Sequence, residues 1–473
     1  MTFSTNNNIL LLYVAEQDEI NLGVGFLSGA LKEKGWETNC LVWHIRPGIL
    51  ETPLDQILDN IRKSDPACIC ISALSLHYPF IIKLLDRIKE AFNGPVVIGG
   101  YHAIAFPESF LQHPAADAIC IGDGEEPLLK FLHACKTGRD AYGIQGLLGK
   151  KGPFFSDDWQ GDHWYVSNLE DYPYMDYALF DRIKPLSERT NFFISPTRQT
   201  LTIMPAVSGR GCPYKCTYCS NALRMNNFPS VKAYLRKYSP KFLIKTLKKA
   251  VDRFNVQLID FLDELFIYDK KWLMEFAALY KEEIRLPFSA QVHLGFITEE
   301  ICSILKECGW ILAAFGVECG DEQYRRDHLN RSTSNEVILK NAGLLKQAGI
   351  YTVAYNMIGM PLETIDTMRA TLEFNKKLQP DLGMLFHWQP LPGTELAEIA
   401  KKIGLVTEND NLVTNYGASS IHSELRHEMD LIHTQYLAEK FSMAEGGPDH
   451  LMEKLTRFTL DWIDTKKPLK YDS

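Results

Sequence analysis

The sequence is short of three things, and each shortage excludes a class of protein. It has no run approaching the ~20 apolar residues of a membrane-spanning helix. Its apolar stretch Ile9 to Ala15 is too short for a span, and also for a secretory signal with its cleavage site. The residues before that stretch are polar and carry no basic side chain, so no targeting segment is expected and the cytoplasm is the expected location. Basic charge is not in excess: 50 Lys and Arg face 59 Asp and Glu, a formal charge of −9 at pH 7. Neutralising a phosphate backbone needs a basic surface, so a dedicated nucleic-acid binder is not expected. Cysteine is too sparse for a disulfide scaffold, with 11 in 473 residues, and an odd number cannot pair completely. Reduced thiols in a reducing compartment follow.

What is present is a folded chain, 46% hydrophobic and 23% charged. Its length suits two to four domains, because single cores stop growing at roughly 250–300 residues. Residues 9–15 read as a buried strand, followed by a helix over Leu22 to Lys34 that stops at Gly35. Strands at 38–43, 67–72, 95–98 and 118–121 then alternate with helices at 54–64 and 80–92 and with one that follows Glu126 and runs to Cys135. That alternation predicts an α/β, doubly wound (Rossmann-like) parallel sheet over residues 1–140. Its glycines fall at strand C-termini, where such sheets bind ligands.

Residues 141–198 break the rhythm and read as a linker. Over 199–398 the alternation resumes with about six βα units, the pattern of a partial (β/α)6 barrel, whose active site lies at the strand C-termini. Residues 399–473 read as a mostly helical region; its Tyr416, His422, His433 and Tyr436 can contact a substrate or simply pack helices.

The strongest motif follows the first barrel strand: Gly209-Arg210-Gly211-Cys212-Pro213-Tyr214-Lys215-Cys216-Thr217-Tyr218-Cys219. Three thiols spaced C-x3-C-x2-C suit an iron–sulfur cluster or zinc. Structural zinc normally takes four protein ligands, and no fourth Cys or His lies nearby. Three ligands on a four-iron cluster leave one iron open to an exogenous ligand.

Here the sequence resembles the radical S-adenosylmethionine (SAM) superfamily. The resemblance implies that Cys212, Cys216 and Cys219 bind a [4Fe–4S] cluster, that SAM chelates the open iron, and that reductive cleavage of SAM gives a 5′-deoxyadenosyl radical. Tyr218 matches the aromatic position beside the adenine. Asp263 and Glu264, after the second barrel strand, match polar positions that help hold the SAM amine or substrate. Phe315-Gly316-Val317-Glu318-Cys319-Gly320 resembles the Gly-x-Glu-Ser element, so that Gly316 and Glu318 are expected at SAM, with Cys319 in place of Ser. Ile358-Gly359-Met360-Pro361-Leu362-Glu363 resembles a Gly-x-Pro-Gly-Glu turn with Leu362 in place of Gly. Gln389-Pro390-Leu391-Pro392-Gly393-Thr394 matches the element after the sixth strand. No cysteine follows Cys319, which excludes an extra C-terminal cluster domain, and Cys302 and Cys308 read as packing residues.

The N-terminal region resembles a cobalamin-binding domain. Ser72-Ala73-Leu74 and then Gly99-Gly100 stand at the interval of that family's S-x-L and Gly-Gly elements, and Gly122, Gly124 and Glu125 end the next strand. The resemblance implies that Ser72, Leu74, Gly99, Gly100, His102, Gly122, Gly124 and Glu125 line the cofactor. The D-x-H-x-x-G element is absent, and its place holds Gly25-Phe26-Leu27-Ser28-Gly29-Ala30. Cobalamin is thus expected to bind without a protein histidine below the cobalt, and His44, His77 and His102 read as loop or packing residues. Together the two resemblances imply a cobalamin-dependent radical SAM methyltransferase of class B type, acting on an unactivated carbon. The alternative is a non-methylating radical cyclisation, rearrangement or oxidation with the same cofactors. The expected partners are a small-molecule, lipid or natural-product precursor as substrate and a reductant such as flavodoxin or ferredoxin.

Overall fold

The computed structural model describes residues 6–17, 19–46, 50–189, 201–406, 426–438 and 448–465. Tyr416 and His422 lie outside the described residues. The chain divides into two compact units, residues 1–185 with 391–393 and residues 186–390 with 394–473.

The first unit is built on β1 (Asn8–Ala15), β2 (Glu37–Arg46), β3 (Leu50–Glu51), β4 (Cys68–Ser72), β5 (Val96–Gly99), β6 (Ala118–Cys120), β7 (Leu147–Gly149) and β8 (Trp159–Gln160). They form one sheet in the order β3-β2-β1-β4-β5-β6-β7-β8. The inner strands β2, β1, β4, β5 and β6 are mutually parallel, and β3, β7 and β8 add antiparallel edges. Strand β1 is apolar at nearly every position because both of its faces are covered. Ile9, Leu11 and Tyr13 pack with helices Leu22–Glu33 and Glu125–Thr137. Leu10, Leu12 and Val14 pack with helices Leu54–Ser64 and Tyr78–Ile88 on the opposite face. This is the doubly wound arrangement. The chain leaves β1 toward β2 on one side and later enters β4 on the other, so the topological switch point lies between the C-terminal ends of β1 and β4.

The second unit contains β9 (Ile203–Ala206), a two-residue ribbon of β10 (Gly209–Arg210) and β11 (Arg236–Lys237), and then β12 (Leu258–Phe261), β13 (Phe288–Gln291), β14 (Trp310–Glu318), β15 (Tyr351–Ile358) and β16 (Leu382–His387). The six long strands pair in parallel in chain order, β9-β12-β13-β14-β15-β16, the expected partial barrel. Most of the returning helices begin at a Ser, Thr or Asp cap: Ser239, Asp269, Thr298, Ser334, Thr364 and Thr394 each accept a hydrogen bond from the first turn.

The C-terminal region is helical where described. Helix Pro448–Thr465 places Leu451, Leu455 and Phe458 against Leu201, Ile203, Leu258 and Leu382, near the starts of the strands. It closes the barrel at the end opposite the strand C-termini. Helix Arg426–Ala438 packs Met429, Ile432 and Tyr436 beside β16 and helix Ile365–Leu378, with the Tyr436 hydroxyl bonded to Asn356 and Asn375. His433 is 3.1 Å from the Leu385 carbonyl.

Candidate active site

The cysteine loop starts where β9 ends. Ser208 leads into the β10–β11 ribbon, and Gly211 has φ +102; a Cβ there would stand 2.6 Å from the Tyr234 carbonyl oxygen, so only glycine permits the turn. Cys212, Cys216 and Cys219 follow, with Cys219 N–H donating to the Cys216 carbonyl at 3.1 Å just before helix Ser220–Met225. Cys216 is buried, and the other two are partly exposed. Burial, with charge repulsion from the neighbouring thiols, pushes Cys212 up to about 12 and Cys219 up to about 11. Without metal Cys212 and Cys219 stay protonated, so their binding to iron releases protons.

The donor set fits a cluster. Three thiols share one loop, and among the described residues no group of three or more His, Cys, Asp or Glu is placed around a single ion. A [4Fe–4S] cluster takes each thiolate on a different iron. Cys319 is fully buried elsewhere, its thiol 3.8 Å from Glu363 and 3.6 Å from the Thr371 hydroxyl. Cys302 and Cys308 are buried in and beside helix Glu299–Glu307, and none of the eleven cysteines is in a disulfide.

The β14 end closes on the loop. A register shift against β15 falls between Gly316 and Glu318, and Glu318 sits at φ +70, a conformation rare for a residue with a Cβ. The bulge folds the Glu318 carboxyl back over Gly316, where any Cβ would collide with Oε1. The Tyr218 hydroxyl donates to Glu318 Oε1 at 2.9 Å, so two sequence-predicted residues do meet. Burial raises the Glu318 carboxyl against the pull of Arg331.

Asp263 and Glu264 diverge. Asp263 is buried and accepts from Ser208 N–H at 3.0 and 2.9 Å and from the Ser208 hydroxyl at 2.5 Å. Glu264 accepts from Gly211 N–H at 3.2 Å and pairs with Arg224, bracing the turn before Cys212.

In the first unit Ser72 ends β4, and its hydroxyl accepts from Asn21, the cap of helix Leu22–Glu33, at 3.2 Å, joining that helix start to the β4 end at the switch point. Leu74 is half-buried just beyond. Gly100, at φ +93, and Gly122, at φ +148, leave room for the protein's own backbone: a Cβ would stand 2.7 Å from the Ala73 oxygen and 2.1 Å from the Trp164 oxygen. Gly124 is packed under Leu27, and Glu125 starts its helix buried. Gly99 differs, because a Cβ there would make only ordinary contact, 3.5 Å from Cys120 Cβ. His102 has both ring nitrogens engaged, 3.0 Å from Ser75 and 3.2 Å from Ser109. His77 is buried with its Nδ1 unpartnered, and His44 lies on β2. A half-buried serine hydroxyl at the switch point and a glycine that packing does not demand fit a cofactor tail laid on the strand ends.

Residues without a sequence signal complete the barrel site. Arg331, in the connection after β14, reaches Cys216 Sγ (3.7 Å), the Tyr218 hydroxyl (3.3 Å) and the Gly316 carbonyl (2.7 Å). His293 stacks on Tyr214 at 4.3 Å, and burial with the nearby Arg331 lowers it to about 3, so it is neutral. Lys237 donates to Ser208 and the Phe266 carbonyl and lies 3.6 Å from the Trp272 ring centroid. None stands in a recognisable motif. The one clue in the sequence is that Asn330-Arg331 lies in the polar connection that follows the Glu318 strand end.

Comparison with known proteins gives matches to two family models, the radical SAM superfamily over residues 207–374 and the B12 binding domain over residues 9–132. The chain is 26% identical over 345 residues to an uncharacterized methyltransferase of Pyrococcus horikoshii, covering 72% of this chain and 70% of that one. It is 25% identical over 404 residues to an anaerobic magnesium-protoporphyrin IX monomethyl ester cyclase of Rubrivivax gelatinosus, covering 83% and 68%. The radical SAM methyltransferase TsrM of Kitasatospora setae, solved with cobalamin and a [4Fe–4S] cluster, superposes with TM-score 0.64 at 15% identity, over 99% of this chain and 92% of that one. At that identity the likeness shows the fold. Among the described residues no helix is long and apolar enough to cross a membrane.

Proposed function

The chain is a radical SAM enzyme that carries a B12-binding domain, and on that premise we propose that it is a cobalamin-dependent methyltransferase acting on an unactivated carbon. The carrying observation is the pairing, in one chain, of three cluster thiols at the end of the first barrel strand with a B12-binding sheet. When bound, the cluster supplies the electron that cleaves SAM to a 5′-deoxyadenosyl radical, and cobalamin supplies the methyl carrier.

The chain's own residues do the placing. Cys212, Cys216 and Cys219 hold the cluster, and Gly211 with Glu264 sets the turn that presents them. Glu318 and Tyr218, joined by a hydrogen bond, offer a carboxyl and an aromatic ring to the SAM amine and adenine. Ser72, Leu74, Gly99 and Gly100 receive the cobalamin tail at the β4 and β5 ends. Helix Pro448–Thr465 shuts the far end of the barrel, which keeps water from entering behind the radical. Asp263 holds Ser208, the residue that leads into the cysteine loop.

The substrate class is a small molecule, lipid or natural-product precursor, and the reductant is a flavodoxin or ferredoxin. A second reading, radical cyclisation, is favoured by the likeness to the cyclase. Anaerobic incubation of the reconstituted protein with cobalamin, titanium(III) citrate and SAM carrying a 13C methyl group separates the readings. Label passing from SAM to the corrin supports methyl transfer. Formation of 5′-deoxyadenosine with no label leaving SAM supports the second reading, and neither product refutes both.

A further inference from the structure

We propose that Arg331 is a positioning residue that tunes the cluster, its guanidinium donating to the Cys216 sulfur and setting the ease with which the cluster accepts its electron. This rests on the reading of Cys212, Cys216 and Cys219 as cluster ligands.

The guanidinium is shared out in a definite way. Nη1 lies 3.7 Å from Cys216 Sγ and 3.3 Å from the Tyr218 hydroxyl, and Nη2 donates to the Gly316 carbonyl at 2.7 Å. Glu318 Oε1 is 4.0 Å from Nη1, and the two side chains are only 15% and 13% exposed. A planar fork can satisfy a sulfur, a hydroxyl and a carbonyl at once, which a lysine ammonium on a flexible stem cannot match. The backbone fixes the fork in place: Arg331 N–H donates to the Arg325 carbonyl at 3.0 Å. The same segment braces the cysteine loop directly, through Asn330 to the Lys215 carbonyl at 2.8 Å and Thr217 to the His328 carbonyl at 2.6 Å.

Neighbouring cations hydrogen-bond other groups, although Arg224 also acts on Cys219 through its charge. Arg224 pairs with Glu264 and bonds Asn221 and Tyr234. Arg325 donates to the Cys319 and Thr333 carbonyls and to Asn335. Lys237 sits among Phe266, Tyr268 and Trp272. Arg331 comes within hydrogen-bond reach of a cysteine of the motif. Reduction adds one electron to a cluster held by three thiolates in a poorly solvated site. A fixed cation and an N–H donor at a ligand sulfur stabilise that added charge, so losing them makes reduction harder.

The test compares the anaerobically reconstituted full chain with its R331Q and R331K variants, by iron analysis and by electron paramagnetic resonance during a redox titration without SAM. R331Q should retain wild-type iron and show a ratio of reduced to oxidised cluster roughly tenfold lower at a fixed poised potential, a shift of ~59 mV for one electron. R331K, which keeps the charge and loses the fork, should fall between. Should R331Q fail to fold, R331K alone decides, by a midpoint below wild type. Equal midpoints in all proteins overturn the proposal. So does an unchanged midpoint with weakened SAM binding, which would assign the guanidinium to the SAM carboxylate. Absence of any cluster from the wild-type protein would instead defeat the ligand reading itself.

Discussion

Replacing Asp263 by Asn should damage the fold of the barrel unit and not the affinity for SAM. The carboxylate accepts three hydrogen bonds from one residue, Ser208 N–H at 3.0 and 2.9 Å and Ser208 Oγ at 2.5 Å, and all these atoms are buried. An amide of the same shape turns one acceptor into a donor, facing either the Ser208 N–H or its hydroxyl. A buried donor left unpaired costs roughly 1–3 kcal/mol. The Lys237 ammonium, linked to the carboxylate through the Ser208 hydroxyl at 2.9 Å, also loses the counter-charge that sustains it against burial. Breaking a buried pair by removing one partner costs about 3–5 kcal/mol. The bridging serine softens that, so about 3–4 kcal/mol in total is expected. Equilibrium urea unfolding followed by circular dichroism reads this as a fall of ~1.5–2 M in the midpoint of the barrel transition, with slopes of ~2 kcal/mol per M. Converting Lys237 to Met in the same chain should restore part of the loss, because the uncompensated cation is gone. Unfolding within roughly 0.5 kcal/mol of wild type, the range of a neutral surface change, together with lost SAM binding would refute this reasoning and make Asp263 a SAM ligand.

Three further outcomes follow from single residues. Burial raises Glu363 to about 8 from 4.5, so between those values the folded chain holds a proton that the unfolded chain has released. Stability should therefore fall as pH rises from about 5 to 8, and Glu363→Gln should flatten that slope in urea titrations at several pH values. Leu362 is half exposed at φ +66, so Leu362→Gly should stabilise by up to ~1 kcal/mol, read as a raised urea midpoint; a loss would show that its side chain packs usefully. Gly122→Ala places a Cβ 2.1 Å from the Trp164 carbonyl oxygen and should cost ~3–5 kcal/mol in the first unit, whereas Gly99→Ala, with ordinary contacts, should leave stability unchanged and weaken cobalamin binding.

The parts of the fold that repeat are legible in the sequence. Ile9 to Ala15 is a strand because seven buried apolar residues in a row cannot face water on either side. Gly35, at φ +81, and Asn255, at φ +49, end their helices in the left-handed region that their residue types favour. The short pieces are not legible: β7 and β8 hold three and two residues, too few to show a period, and they exist only through the pairing that starts at β6. Helix Pro448–Thr465 shows an apolar stripe, but nothing in a stripe says that its partner is the floor of a barrel whose first strand, Ile203–Ala206, lies far earlier in the chain. In the site, the thiols are legible because metal ligation leaves little freedom in residue type or spacing. Asp263 and Glu264 are adjacent acids whose different partners only the tertiary contacts distinguish. Arg331 carries no motif at all, because a guanidinium on a long side chain can reach Cys216 from many backbone positions.

Cofactor stoichiometry in two proteins prepared side by side decides whether one chain holds both a cluster and a corrin. The full chain and a C212A/C216A/C219A variant are reconstituted anaerobically with iron, sulfide and hydroxocobalamin, desalted, and assayed for iron and for the corrin absorption bands. About four irons and one corrin per wild-type chain are expected, with loss of the iron and retention of the corrin in the variant. Wild-type protein that emerges with its iron but no corrin, or a variant that keeps its iron, would contradict the assignment.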